Sequence, residues 1–174
     1  KRKPGFLCIL HVLNLNHYVI HSTFDLQVFL VNKIMNEINK SAKEMWTSFI
    51  AENPSYRSRI FPTVEYFCDN KKDADECGAL IYNGIKTATC SAFLAYKIDN
   101  NPIPKKGHLS IVTNFDGEAL CIIETTDVAL RKFSEIDADF ARKEGEGDLS
   151  LTYWQKVHKA FFPSVVLTIL LFSV

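Results

Sequence analysis

With 174 residues and 19.8 kDa the chain has the length of one ordinary domain, and 47% hydrophobic with 23% charged residues is a normal globular composition. Twenty Lys plus Arg balance twenty Asp plus Glu, which excludes a histone-like or polybasic protein that holds nucleic acid mainly by bulk charge. Seven Gly and six Pro exclude collagen-like and Pro-rich sequences, and no period of about 20 to 50 residues marks a solenoid or propeller.

Residues 1–34 differ from the rest in chemistry. Lys1, Arg2, Lys3 and Lys33 face one acid, Asp25, so residues 35–174 keep 16 basic and 19 acidic residues, net −3. The basic start followed by Phe6 to Ile20 has the outline of a signal peptide, but His11, Asn14, Asn16 and His17 interrupt it and no small-residue cleavage site follows. We expect 1–34 to be an extension that makes few contacts with the domain core, with Met35 as the natural start and 35–174 as a single domain. The five cysteines, Cys8, Cys68, Cys77, Cys90 and Cys121, include no C-x-x-C pair. Reduced, inert thiols in a cytoplasmic protein with no metal and no cofactor are therefore expected.

Along the chain, Ser41-Ala-Lys-Glu44 reads as a capping box opening a helix whose apolar stripe, Met45, Trp46, Phe49 and Ile50, stops before Pro54. Asp73 to Asn83 reads as a second helix, with Gly84 just past its end. Residues 86–92 alternate, with Thr87, Thr89 and Ser91 on one face and Ala88, Cys90 and Ala92 on the other, the pattern of a half-buried strand. Leu109 to Thr113 and Glu118 to Val128 are strands joined through the hairpin signal Asp116-Gly117. Ser134 to about Arg142 is helical, and after the loop Glu144-Gly-Glu-Gly-Asp148 the residues Leu151, Trp154, Val157, His158 and Phe161 mark a last amphipathic helix. From about residue 163 an uncharged apolar tail, too short for a bilayer-spanning helix, reads as a buried closing strand, and no membrane contact is expected. Short strands interleaved with helices predict an α+β domain around a small barrel or curled sheet.

Two segments place polar residues where the pattern needs none. In Gly84-Ile-Lys-Thr-Ala-Thr-Cys-Ser91, Lys86 directly follows a helix stop. Held against the protein body it serves as a base or electrostatic anchor, and otherwise it caps the preceding carbonyls. In Glu144-Gly-Glu-Gly-Asp148 and the following Ser150, two glycines let the backbone approach a ligand closely, while acids at a helix start also suit the helix dipole. No G-x-x-x-x-G-K-[ST], G-x-S-x-G or H-E-x-x-H occurs, which removes the commonest nucleotide, acyl-hydrolase and zinc-protease signatures.

Together with Pro104-x-x-Gly107, Ile122-Ile-Glu-Thr-Thr-Asp-Val128 and Phe140-Ala-x-x-Glu-Gly-Glu-Gly-Asp-x-Ser150, then Trp154, His158 and Phe161-Phe162, these segments resemble the ASCH domain. The resemblance runs over about residues 41–162, and is to the longer ASCH proteins with a helical N-terminal part. It implies a PUA-like small β-barrel or curled mixed sheet with flanking helices, and RNA or a small modified nucleoside as substrate. Some relatives hydrolyse an N-acyl amide on cytidine and others are ribonucleases. Carried over by motif, Lys86, Thr89 and Glu146 match the catalytic base or activator, nucleophile and acid. Glu144 is the fallback for the acid and, with Thr87, Ser91 and Ser150, a substrate contact. Residues 1–34 and the apolar tail depart from the family pattern.

The resemblance carries three readings: amide hydrolysis, ribonuclease action at the same pocket, or RNA binding without catalysis. Lys105, Lys106, Arg131, Lys132, Arg142 and Lys143 are the cations that a binding face would use. Lys86, Thr89 and Glu146 should border one cleft with Ser150 at its rim. Lys86 and Thr89 are three apart, so in a regular strand they point to opposite faces and converge only if the chain bends between Gly84 and Thr87. His158, four residues after Trp154 on the packed stripe, is expected to be structural.

Overall fold

The computed structural model describes residues 7–16, 32–98, 100 and 102–172. Its elements are β1 (Leu7–Asn16), α1 (Asn32–Glu52), β2 (Thr63–Glu65), α2 (Lys71–Tyr82), β3 (Ala88–Ala92), α3 (Phe93–Ile98), β4 (Leu109–Thr113), β5 (Ala119–Lys132), α4 (Ala138–Glu144) and α5 (Leu151–Phe172). Single 3-10 turns lie at Pro54–Tyr56 and Phe133–Glu135. The architecture is α+β, with parallel and antiparallel pairings together, as the alternation of short strands and helices predicts. Residues 1–6, 17–31, 99, 101 and 173–174 lie outside the described residues.

The chain forms two compact units. One comprises residues 15–83 and 109–124. Here β2 runs parallel to β4, and β4 pairs antiparallel with the start of β5 from Leu109–Glu124 to Thr113–Ala119. The connecting turn is the predicted hairpin, with Gly117 at φ +88° and Asn114 and Glu118 bonded across it. Ala42, Met45, Trp46 and Phe49 from α1 pack on Leu109, Ile111 and Ile122 from the strands. That is the apolar stripe read from the sequence, meeting the inward face of a strand pair.

The other unit comprises residues 1–14, 84–108 and 125–174. Here β1 pairs antiparallel with β3, from Cys8–Ala92 to Val12–Ala88. Residues 7–16 are thus part of a ladder, and for them the expectation of few contacts with the domain does not hold. A strand needs only backbone partners, and the composition break at residue 34 says nothing about those. Among the described residues Ala92 packs with Phe162, and Ile136, Ala141 and Trp154 form a further cluster.

Three further readings are corrected. Ser41 does not cap α1, which begins at Asn32; its Oγ instead accepts the Ala119 N–H at 2.9 Å. The helix read from Ser134 begins at Ala138, because Asp137 rather than Ser134 is the cap, accepting the Phe140 N–H at 2.8 Å. The apolar tail is not a strand: α5 continues through Pro163 to Phe172. A short apolar run carries no periodicity that separates strand from helix, and the helix already under way decides the matter. Among the described residues no helix is long and apolar enough to cross a membrane.

Candidate functional site

The site is built where the start of β3 meets the end of α4. Asp137 opens α4, and Gly145 closes it in the left-handed region at φ +73°. A Cβ at Gly145 would stand 2.9 Å from the Ile85 carbonyl oxygen, so the close approach of these two segments requires glycine. The Thr87 N–H donates to the Lys143 carbonyl at 2.7 Å. That bond sets Lys86 beside Glu144, although 58 residues of chain separate them.

Glu144, 1% exposed, is the hub. Its Oε2 accepts from Lys86 Nζ at 2.5 Å and its Oε1 from the Trp154 indole N–H at 3.1 Å. His158 Nε2 lies 3.8 Å from Oε1. Burial pushes the Glu144 carboxyl up, but the Lys86 charge, the His158 charge and hydrogen bonds from Lys86 and Cys90 together hold it below its ordinary value of 4.5. Lys86, itself 3% exposed, also donates to the Glu144 carbonyl at 3.4 Å and to Glu146 Oε1 at 2.7 Å. The Glu146 side chain keeps 23% of its surface in water. One ammonium thus lies between a buried carboxylate and one that reaches solvent, an arrangement that stores a cation and offers a route for a proton.

Two other neighbours of Glu144 are aromatic. Trp154 stacks on His158 at 4.2 Å between ring centroids and packs against Phe133 and Phe140. His158 Nδ1 stands 2.9 Å from the Trp154 carbonyl, which can only accept, so Nδ1 donates this bond. Ser150 caps α5, its Oγ accepting the Tyr153 N–H at 3.0 Å. A shallow depression of about 380 Å³ is lined by Gly84, Ile85, Thr87, Asp139, Arg142 and Lys143; Lys86, Thr89, Glu146 and Ser150, expected to border one cleft, do not line it.

A family model described as the ASCH domain matches residues 63–170. The chain belongs to the ASCH domain family. Among solved structures, the ASCH domain of Lactobacillus crispatus JV V101 is 36% identical with a TM-score of 0.63, over 71% of this chain and 79% of that one. A protein of Enterococcus faecalis V583 is 29% identical with a TM-score of 0.68, over 74% of this chain and 77% of that one. No curated protein matches by sequence. The PUA-like α+β fold implied by the motifs is the fold of this chain.

In this ASCH domain Lys86 and Glu146 are in direct contact. Thr89 lies half-buried on β3, opposite His11 of β1. The β3 side chain that bonds the Glu144 carboxylate is Cys90, so strand alternation turns Thr89 to the other face. Convergence of Thr89 with Lys86 therefore depends on the irregular stretch 85–87 that precedes β3. Thr87 Oγ1 donates to the Lys143 carbonyl at 3.4 Å, and Ser91 Oγ to the Tyr96 hydroxyl at 3.2 Å. Glu144, grouped with the substrate contacts by sequence, is enclosed and acts as an anchor for Lys86, Trp154 and His158.

Sequence reasoning missed Trp154 and Cys90 as members of this network. The readable signal was the indole N–H on a packed helix stripe, a donor that needs a buried acceptor. The ligand atoms of Cys90, Glu144 and His158 lie within 4.8 Å of one another. A thiolate, carboxylate and imidazole together suit zinc, but both Glu144 oxygens already accept hydrogen bonds and the Lys86 ammonium neutralises the carboxylate. The chemistry fits a hydrogen-bonded anchor better than a cation site.

Proposed function

We propose that this ASCH protein acts on RNA or a modified nucleoside, most concretely by hydrolysing an N-acyl amide on a cytidine-like substrate. The observation that carries the reading is Lys86 Nζ held between the buried Glu144 and the partly exposed Glu146. In this mechanism Lys86 passes a proton to Glu146 and, as the free amine, takes the hydroxyl proton of Thr89. The Thr89 oxygen attacks the acyl carbonyl and Glu146 protonates the leaving amine; water activated by Glu146 then attacks the ester, Lys86 returns the proton to the leaving Thr89 oxygen, and Glu146 passes the water proton back to Lys86 as the acid departs. Glu144 is a positioning residue. Thr87, Ser91 and Ser150 supply hydroxyls for substrate oxygens, and no metal or cofactor takes part.

A second reading, ribonuclease action or RNA binding at the same place, is favoured by the exposed cations Lys105, Lys106, Arg131, Lys132, Arg142 and Lys143, of which the last two border the depression. In cleavage, Lys86 would stabilise the phosphorane charge and Glu146 or Ser150 would assist proton transfer. Incubating the purified protein with N-acetylcytidine and, separately, with short RNA tests both readings. Cytidine release that is lost in Lys86→Ala and Glu146→Gln supports the amide reading, and fragments from RNA alone support the alternative. Binding of RNA with turnover of neither substrate would overturn catalysis.

A further inference from the structure

We propose that Cys68 and Cys77 form a reversible disulfide, a redox modification site that joins the turn before α2 to the middle of that helix. The two sulfurs stand 3.3 Å apart. A disulfide needs about 2.05 Å, so closing the bond asks for about 1.3 Å of movement, within reach of side-chain rotation and a small loop adjustment. The local structure holds the pair in register. Asn70 caps α2, its Oδ1 accepting the Asp73 N–H at 3.1 Å and its Nδ2 donating to Asp73 and Asp69. Cys68, two residues earlier, takes a left-handed backbone conformation at φ +72°, which folds the turn back along the helix. Cys77, on the buried side of α2 with Ala74, Gly78 and Ile81, meets it there.

The two thiols are unequal in access. Cys68 is half-buried and Cys77 is 4% exposed. With glutathione disulfide as oxidant, the Cys68 thiolate attacks one of its sulfurs, forming a mixed disulfide and releasing one glutathione thiolate. The Cys77 thiolate then attacks Cys68 Sγ and displaces the second glutathione. Two electrons pass to glutathione disulfide, and the two cysteine protons end on the two released thiolates.

The test uses the full chain equilibrated in buffers of graded glutathione disulfide to glutathione ratio, trapped with an alkylating agent and mapped by mass spectrometry without reduction. The expected result is a mass lower by two hydrogens, a linked peptide pair joining Cys68 to Cys77, and return of both thiols on adding dithiothreitol. The oxidised form should melt about 5 °C higher, since a short closed loop restricts the unfolded chain. A glutathione adduct that persists on Cys68 while Cys77 stays a thiol would overturn the proposal, as would a linkage that uses Cys90 or Cys121 instead. The mapping is made on the wild-type chain, so its reading survives a Cys77→Ser variant that fails to fold.

Discussion

Three side chains of the proposed site are separable by substitution. Lys86→Met leaves Glu144 enclosed without its cation, and we expect it to cost about 3 kcal/mol in a denaturant melt, as loss of one partner of a buried pair does. Glu146→Gln should cost under about 1 kcal/mol, because its side chain is partly in water and Lys86 keeps Glu144, while turnover falls by about 100-fold or more if Glu146 moves the proton. Equal loss of stability in both variants would refute the division into anchor and acid. Trp154→Phe removes the indole N–H from Glu144 Oε1 and keeps much of the ring packing, so a loss of about 1 to 2 kcal/mol is expected. The contact of Lys86 with Glu146 was legible because each stands in a motif of unusual local chemistry. The role of Glu144 was not, since its partners lie 58 residues before it and 10 after it, outside any local pattern.

Elements were legible where local pattern and tertiary contact agree. The hairpin of β4 and β5, the apolar stripe of α1 and the glycine beyond α2 all follow from turn chemistry and periodicity. Ser41-Ala-Lys-Glu44 misleads because four residues supply a cap motif inside a helix that extends past it, and the hydroxyl finds the Ala119 N–H instead. At the end of α4, Gly145→Ala combines a left-handed backbone with a Cβ only 2.9 Å from the Ile85 oxygen. We expect a loss of about 2 kcal/mol and weaker activity, because Ile85 must shift and Lys86 moves with it. A melt unchanged from wild type would show that α4 tolerates the shift. Deletion of residues 1–34 tests β1: with five residue pairs lost from β3, the melting temperature should fall by about 5 °C or more. A cooperative melt at the wild-type temperature would instead support a dispensable extension.

Over the whole molecule the family was legible from five motif blocks in order, whereas the discontinuous units, 15–83 with 109–124 and 1–14 with 84–108 and 125–174, leave no mark on composition. The same long-range closure fixes how stability depends on acid. Glu144 is held below its ordinary value of 4.5 despite burial, mainly by Lys86 and then His158 and hydrogen bonds. Asp75, Glu135 and Asp148 are held down by backbone or side-chain hydrogen bonds at exposed positions, where solvent screening leaves each a small effect. A carboxyl whose folded value is depressed stabilises the fold fully above its unfolded value, near 4.5, and that contribution disappears as pH falls through the folded value. The melting temperature should therefore hold between about pH 7 and 5.5 as far as these groups decide it, then decline below about pH 4.5. Glu144→Gln removes the one buried member of the set, so that variant should start from a lower melting temperature and fall less steeply between about pH 4.5 and 3 than wild type does. Parallel curves for the two proteins would mean that protonation elsewhere governs acid unfolding, and that the Lys86–Glu144 pair persists no longer than the surface acids do.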